Sequence, residues 1–255
     1  MKDAVDSMTD ALEAAYLQHA EGPDGAHDIH HARRVWGNAR RIAEAEGAGD
    51  LRIIAAAAYL HDLVNLRKDA PDRHRASAQS GAKASRVLAA LGFTEAEIEA
   101  ARHAIRAHSY SAGIPPETIE AKIVQDADRL ESLGALGLAR AFHVGGVLGR
   151  GLLDGEDPFA ERRTVDAQAY SLGQFQTKLL SLPAQVGQWR RPGRRCFATS
   201  SERCGRSWTS TDTRARPAVH LRDVSGREAE RAQPDLSKRG RRNGPGAVQD
   251  VPRLI

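Results

Sequence analysis

The sequence predicts an all-α fold of about seven or eight helices, and three observations lead to it. Apolar residues recur at three- and four-residue intervals through most of the first 183 positions. No alternating run of Val, Ile or Thr lasts long enough to make a strand. Gly, Pro and Thr stand where such helices should begin and end. No repeat occurs at a solenoid period.

The elements follow in order. A first helix is expected over 4–20, closed by Gly22, Pro23 and Gly25. From 28 to about 46, Ile29, Ala32, Val35, Trp36, Ala39, Ile42 and Ala43 line one face of an amphipathic helix that ends at Gly47 and Gly49. Residues 51–62 are apolar on nearly every side, as suits a central helix packed all round. A polar loop over 65–75 precedes a small-residue helix running to Leu91. Thr94 and Glu97 fit a capping box opening a helix to about His108. Pro115 and Pro116 suit the first turn of the next helix, which runs to about Leu130, because proline lacks only a donor that is unpaired there. A helix over 133–148 follows, with Gly134 and Gly137 allowing a neighbour to approach, and a last helix is expected over about 165–182.

After Pro183 the pattern dissolves. The chain has 255 residues and a net charge of +4, but this average joins a stretch of −5 over 1–183 to one of +9 over 184–255. The second stretch holds 15 Arg and one Lys, both cysteines and five of the eleven prolines, with no helical or strand period. Charge without spaced apolar residues does not offset the entropy of ordering, so an irregular or disordered tail is expected. It reads either as a basic arm for phosphate backbones or as sequence translated after a change of reading frame near residue 184. The abrupt boundary favours the frame change, so nucleic acid is not an expected partner. The division is therefore a helical domain at 1–183 and an Arg-rich tail at 184–255.

Other classes fall away. The longest apolar run, 53–60, is eight residues and far short of the ~20 that span a bilayer. The N-terminus lacks the apolar stretch of a secretory signal. Both cysteines lie in the tail, so nothing asks for an oxidising compartment, and a cytoplasmic location is expected.

The residues that carry chemistry are histidines and aspartates on separate helices. His31 lies four before Val35 and eight before Ala39, beside an apolar stripe, and should point inward. His61 and Asp62 end the apolar run 53–60, where burial is expected. Asp126 and Asp128 lie on a helix apolar on both sides, and spacing alone does not choose between them. Buried carboxylates are rare without a partner or an ion. Imidazole and carboxylate together suit Mn, Fe, Co, Ni or Zn better than Ca or Mg alone.

Four segments carry a resemblance: HDIHHARRV (27–35), AAYLHDLVN (57–65), AIRAHSYS (104–111) and VQDADRLESLGALGLAR (124–140). Their order of His, His-Asp and Asp resembles the signature of the HD-domain metal-dependent phosphohydrolases. They are similar to a bacterial subgroup of small stand-alone HD hydrolases, some of which are nucleoside triphosphate pyrophosphatases. The likeness covers roughly residues 5–183. It implies a helical HD bundle with His31, His61, Asp62 and Asp128 holding one divalent ion (Mn, Mg, Fe, Co, Ni or Zn). The likeness of ADRL (127–130) to the family's last motif selects Asp128. Related proteins recruit further histidines for a second ion, for which His103 and His108 are candidates. After KLLSLP (178–183) the family pattern leads one to expect another amphipathic helix, where this chain has QVGQWRRPGRR (185–195).

Around such an ion, Lys68 and Arg73 are expected to neutralise phosphate charge, with Asn65 and Ser77 as further substrate contacts. Asp62 is expected both to bind the ion and to orient water, and Arg34, one turn from His31, to hold a phosphate or a neighbouring carboxylate. His108 aligns with Ile98, Ala101 and Ile105 and should face the site. His103 lies about 140° from Ile98 around that helix and is a substrate-side candidate at the surface or just behind the site. His27 and His30 are expected to be structural or exposed. The resemblance implies hydrolysis of a nucleotide or related phosphate ester, in its sharpest form nucleoside triphosphate to monophosphate and pyrophosphate. Guanosine-tetraphosphate or cyclic-nucleotide hydrolysis, a nucleic-acid-binding module built on the tail, and an inactive scaffold with a structural metal are the competing readings.

Overall fold

Helix α3, Leu51–Leu60, is the axis around which the other helices are arranged, and its composition explains why. Ile54 through Leu60 are all buried, and four of them are consecutive alanines, so neighbouring helices can approach from every side. The computed structural model describes residues 2–22 and 24–182. The elements before the axis are α1, Lys2–His19, and α2, Ile29–Glu46. After it come α4, Ala76–Ala90, α5, Glu95–His108, α6, Ile119–Glu131, α7, Gly134–Val147, and the short α8, Ser171–Gln174. α3 packs against α1, α2, α4, α5 and α6, while α7 touches α6 and α8. The all-α expectation and the number of helices hold among the described residues, where only isolated bridges pair extended backbone. No helix of the described residues is long and apolar enough to cross a membrane. The tail expected over 184–255, and the frame change inferred for it, lie outside the described residues.

The start and stop signals act largely as expected. Asp28 and Asp50 cap α2 and α3 by accepting the N–H groups of His31 and Arg52. Gly47 ends α2 with φ 63°, the left-handed conformation that favours glycine. The Thr94–Glu97 capping box is formed in both directions. Seven residues of α2, from His31 to Ala43, are buried along the expected face.

Two elements depart from expectation. Pro115 and Pro116 precede α6 instead of opening it: Thr118 is its cap, accepting from Ala121 N at 3.2 Å. A proline disfavours the helical region in the residue before it, so the pair keeps the chain extended until Thr118. The helix expected over 165–182 forms only from Ser171, continuing as the wider turn Phe175–Leu179. Asp166 Oδ1 accepts the N–H groups of Gln168 and Ala169, both at 2.9 Å. The chain then pairs with 151–152, through Gly151 N to Ala169 O (2.9 Å), Ser171 N to Gly151 O (2.8 Å) and Leu172 N to Leu152 O (3.0 Å). Local side-chain acceptors and this pairing take the donors a helix needs.

Candidate metal centre

Four helix ends meet at one point. His31 stands in the first turn of α2, its N–H held by Asp28 Oδ1 at 2.9 Å. His61 is the cap residue at the end of α3 and Asp62 follows it; His108 is the last residue of α5, and Asp128 lies in the last turn of α6. Both His31 and His61 are 1% exposed. Apolar neighbours on each helix bury the imidazoles, and the helix ends free the backbone to bring side chains from different directions together.

Hydrogen bonding settles which ring nitrogens face the centre. His61 Nδ1 lies 2.9 Å from Ala58 O and His108 Nδ1 2.6 Å from Ile105 O. A carbonyl only accepts, so each Nδ1 carries a hydrogen and Nε2 is the nitrogen that each ring turns inward, bare whenever the ring is neutral. His61 Nε2 is 3.3 Å from His31 Nε2 and 3.3 Å from Asp62 Oδ2. His31 Nε2 is 3.3 Å from Asp128 Oδ1 and 4.0 Å from Asp62 Oδ2, and His61 Nε2 is 4.0 Å from Asp128 Oδ1. Donors bound to one ion at ~2.0–2.2 Å stand about 3 to 4 Å apart, which is the spread seen here. Two overlapping triads could each hold an ion: His31, His61 and Asp128, and His61, Asp62 and His108.

The charges of the cluster draw in a proton or another cation. Burial alone pushes His61 down, but the carboxylates of Asp62 and Asp128 beside it carry it up to about 9. Burial pushes Asp62 and Asp128 up, yet the surrounding imidazoles overcome this and hold both well below the usual carboxylate range. So many lone pairs and negative charges in a buried space require shared protons or a cation, and the mixed nitrogen and oxygen set fits a divalent transition metal.

A cleft of about 710 Å³ opens over Asp62, His108 and Asp128. Lys68, Arg73, Arg140 and Lys178 line it, as do Asn65 and Ser77. Ser77 Oγ is buried with no hydrogen-bond partner. Burial pushes Lys178 down to about 8, the pull of Asp128 being opposed by Arg73, Lys68 and Arg140. Lys68 is also lowered by burial, and its Nζ donates to Asn65 Oδ1 at 3.4 Å. Asn65 in turn donates to Gly22 O and Asp24 Oδ2, at 2.9 and 3.2 Å, so it braces the loop while bordering the cleft.

The structure thus gathers His31, His61, Asp62, His108 and Asp128 into one cluster and sets Lys68, Arg73, Asn65 and Ser77 around it. Arg34 and His103 are not brought in. Arg34 Nε donates to Glu131 Oε2 at 2.6 Å, the neighbouring carboxylate rather than the cleft, and His103 Nε2 accepts Glu117 N at 3.0 Å. His27, expected to be structural or exposed, borders the cleft with its ring edge-on to His31 at 5.7 Å, its Nδ1 held by Asp24 Oδ1 at 2.9 Å. Arg140, Lys178, Tyr110 and Glu131 were not singled out from sequence. Arg140 closes the last of the four resembling segments and could have been found there, whereas Lys178 carries no local signal.

Residues 28–133 match the family model of the HD domain. Over 134 residues, 51% of this chain, the sequence is 38% identical to YpgQ of Bacillus subtilis, and the match spans 62% of that protein's length. The crystal structure of YpgQ in complex with ADP is similar with a TM-score of 0.53 and 27% identity, covering 81% of this chain and 98% of that one. An HD-superfamily hydrolase of Bacillus thuringiensis gives a TM-score of 0.52 and 29% identity, covering 82% and 98%. A protein of Lactobacillus plantarum gives 0.58 and 25%, covering 80% and 97%.

Proposed function

We propose, from the premise that residues 28–133 match the family model of the HD domain, that the protein is a divalent-metal-dependent phosphohydrolase acting on a nucleotide. The observation that carries this reading is the placement of four cations, Lys68, Arg73, Arg140 and Lys178, in the same cleft as the imidazole and carboxylate cluster. Asp62 and Asp128 are the carboxylates bordering that cleft and they serve the cluster, so the cations await an anion of several charges. The complex of YpgQ with ADP, and the hydrolase from Bacillus thuringiensis, support a nucleotide and a hydrolytic reaction.

His31, His61, Asp62 and Asp128 would hold the ion, with His108 bordering it through Asp62. A divalent ion there supplies a lowered pKa for water and polarisation of a phosphoryl oxygen. The chain's own residues do the rest. Asp62 Oδ1, 3.6 Å from His108 Nε2, is placed to orient a water molecule. Lys68, Arg73 and Lys178 neutralise charge as it develops on the phosphoryl oxygens, in a site dry enough to lower the pKa of all three. Ser77 Oγ has a free hydrogen to give to a phosphate oxygen. In the sharpest form of the reaction, water attacks the α-phosphorus of a nucleoside triphosphate, and the bond to the bridging oxygen breaks to give monophosphate and pyrophosphate.

The test is a panel of nucleotides with purified protein and Mn or Mg, following phosphate and pyrophosphate separately. Release that disappears in His61→Ala and Asp128→Ala is expected. No release from any nucleotide, or release indifferent to both substitutions, overturns the reading.

A further inference from the structure

The metal cleft opens into a second compartment of different chemistry. It has about 1190 Å³ of open space between α7 and the segment of α8 and the turn after it. The two spaces share Lys68, Arg73, Arg140 and Lys178 at their boundary, together with Tyr110. Beyond that boundary no acidic residue and none of the metal-ligand candidates lines the wall. The floor is Gly137, Ala141, Val144 and Leu179, and the polar groups beyond the boundary are those of Gln168, Gln174, Thr177 and Arg150. Gln174 spends an N–H on Ala167 O at 3.0 Å and keeps its carbonyl as an acceptor, while Gln168 accepts from Arg150 Nη2 at 2.9 Å and keeps its amide donors. Tyr110 stands at the junction, 44% exposed, with Lys178 Nζ 5.0 Å from its ring centroid.

We propose that this compartment receives the nucleoside half of the substrate, with Tyr110 as the stacking surface for the base; the inference rests on the phosphohydrolase reading of the adjoining cleft. A phosphate chain running from the metal-ligand cluster across the shared cations emerges at Tyr110 with the rest of the molecule still to be housed. An apolar floor with amide groups on its wall, and one guanidinium, Arg150, already bonded to Gln168, suits a flat, hydrogen-bonding ring better than it suits further phosphate. Tyr110 fits that role physically. Its exposed ring area is an unusual cost for a large aromatic beside a cleft, and a base stacked on it removes that area from water. Lys178, already against the ring, ties the stacking surface to the phosphate-binding cations.

The experiment compares the kcat/KM of a nucleoside triphosphate with that of inorganic tripolyphosphate, which has no nucleoside, in the Mn-loaded full chain. In Tyr110→Ala and in the compartment-filling Val144→Trp, the ratio of nucleotide to tripolyphosphate is expected to fall about tenfold or more, since base–aromatic stacking is commonly worth ~1–3 kcal/mol. Tyr110→Phe, which keeps the ring, is expected to restore the ratio. Because the readout is a ratio within each variant, a general loss of folded protein cancels. If the unaltered protein cleaves neither compound, the phosphohydrolase reading fails and takes this one with it. If both are cleaved and the ratio does not move, the nucleoside compartment alone is overturned. The same fall with a sugar diphosphate as with the nucleotide overturns the assignment to a base.

Discussion

Glu131 Oε2 lies 3.6 Å from His31 Nδ1 while accepting a hydrogen bond from Arg34 Nε at 2.6 Å. His31 Nδ1 is buried with no hydrogen-bond partner, so the carboxylate just beyond bonding distance is the group facing it. Burial pushes Glu131 up, but His31 and Arg34 hold it below the usual range, and it stays ionised. A carboxylate behind a metal-binding imidazole fixes the ring's orientation and makes its other nitrogen a better donor. Arg34, anticipated from sequence as a phosphate or carboxylate contact, acts here on the carboxylate. Glu131→Gln should therefore weaken Mn affinity by about 10–100-fold, as loss of such partners does elsewhere. Arg34→Ala should act in the same direction by less. Calorimetric titration of metal-free protein with Mn checks this without reference to turnover, and unchanged affinity in both variants refutes it.

The choice between Asp126 and Asp128 yields a sharper test. Two positions apart on a helix means about 200° of rotation, so both can be buried yet only one can face the other helix ends. Asp128 Oδ1 stands 3.3 Å from His31 Nε2, whereas Asp126, 3% exposed, belongs to neither triad. Asp128→Asn should lose the bound ion by elemental analysis. Asp126→Asn should retain it, with any cost appearing as a lower melting temperature. Equal metal content in the two variants contradicts the assignment.

This pair also shows what was legible in the sequence. Periodicity buried both aspartates, and only the likeness of the ADRL segment preferred Asp128, a preference the geometry shares. The helix start at Thr94 was readable because a side-chain acceptor three residues from an amide acts locally, and those near 28 and 51 because an apolar pattern begins there. The last helix is shorter than its pattern suggests because Asp166 takes two amides locally and segment 151–152 takes the backbone of 169–172, and no local pattern announces the second of these. The turning of Arg34 toward Glu131, 97 residues away, is hidden from sequence for the same reason.

Removal of metal should loosen the fold as well as stop any reaction. The cluster draws together the ends of α2, α3, α5 and α6, and without a cation their facing lone pairs and carboxylates are held only by shared protons. An ion present at 100 times its Kd adds about 2.7 kcal/mol to stability. Chelation should accordingly lower Tm by several degrees, and added Mn should restore it in the unaltered chain but not in Asp128→Asn. A melting temperature indifferent to chelator and Mn alike would falsify the metal centre.

Gly137 gives a prediction about the frame that carries the cleft. It lies on α7 after the bend from α6, and a Cβ built there would stand 2.3 Å from the backbone of Ser132. Backbone cannot retreat as a flexible side chain can, so Gly137→Ala must shift α7 away from α6. Overpacking of this kind costs ~1–3 kcal/mol. The displacement should carry Arg140, one turn further along α7, out of register with Ala26 O and Glu131 O, which it now meets at 3.0 and 3.1 Å. A fall in Tm accompanied by a raised KM for nucleotide is expected; Gly137→Ala with both unchanged contradicts the close approach.

Lys178 should show function and stability in opposition. It is lowered to about 8 by burial, and Arg73, Lys68 and Arg140 add to the effect. A half-buried ammonium among like charges weakens the empty protein, and the arrangement is favourable only when a polyanion fills the cleft. Replacing it with a long apolar side chain removes the repulsion but keeps the packing against Tyr110. Lys178→Met is thus expected to leave Tm unchanged or raise it while lowering kcat/KM for nucleotide about 10–100-fold, the loss of a charge-assisted contact of ~1.5–3 kcal/mol. Added nucleotide should correspondingly raise the melting temperature of the unaltered chain more than that of the variant. If Lys178→Met both destabilises the protein and leaves nucleotide kinetics untouched, Lys178 is a structural residue and not part of the anion site.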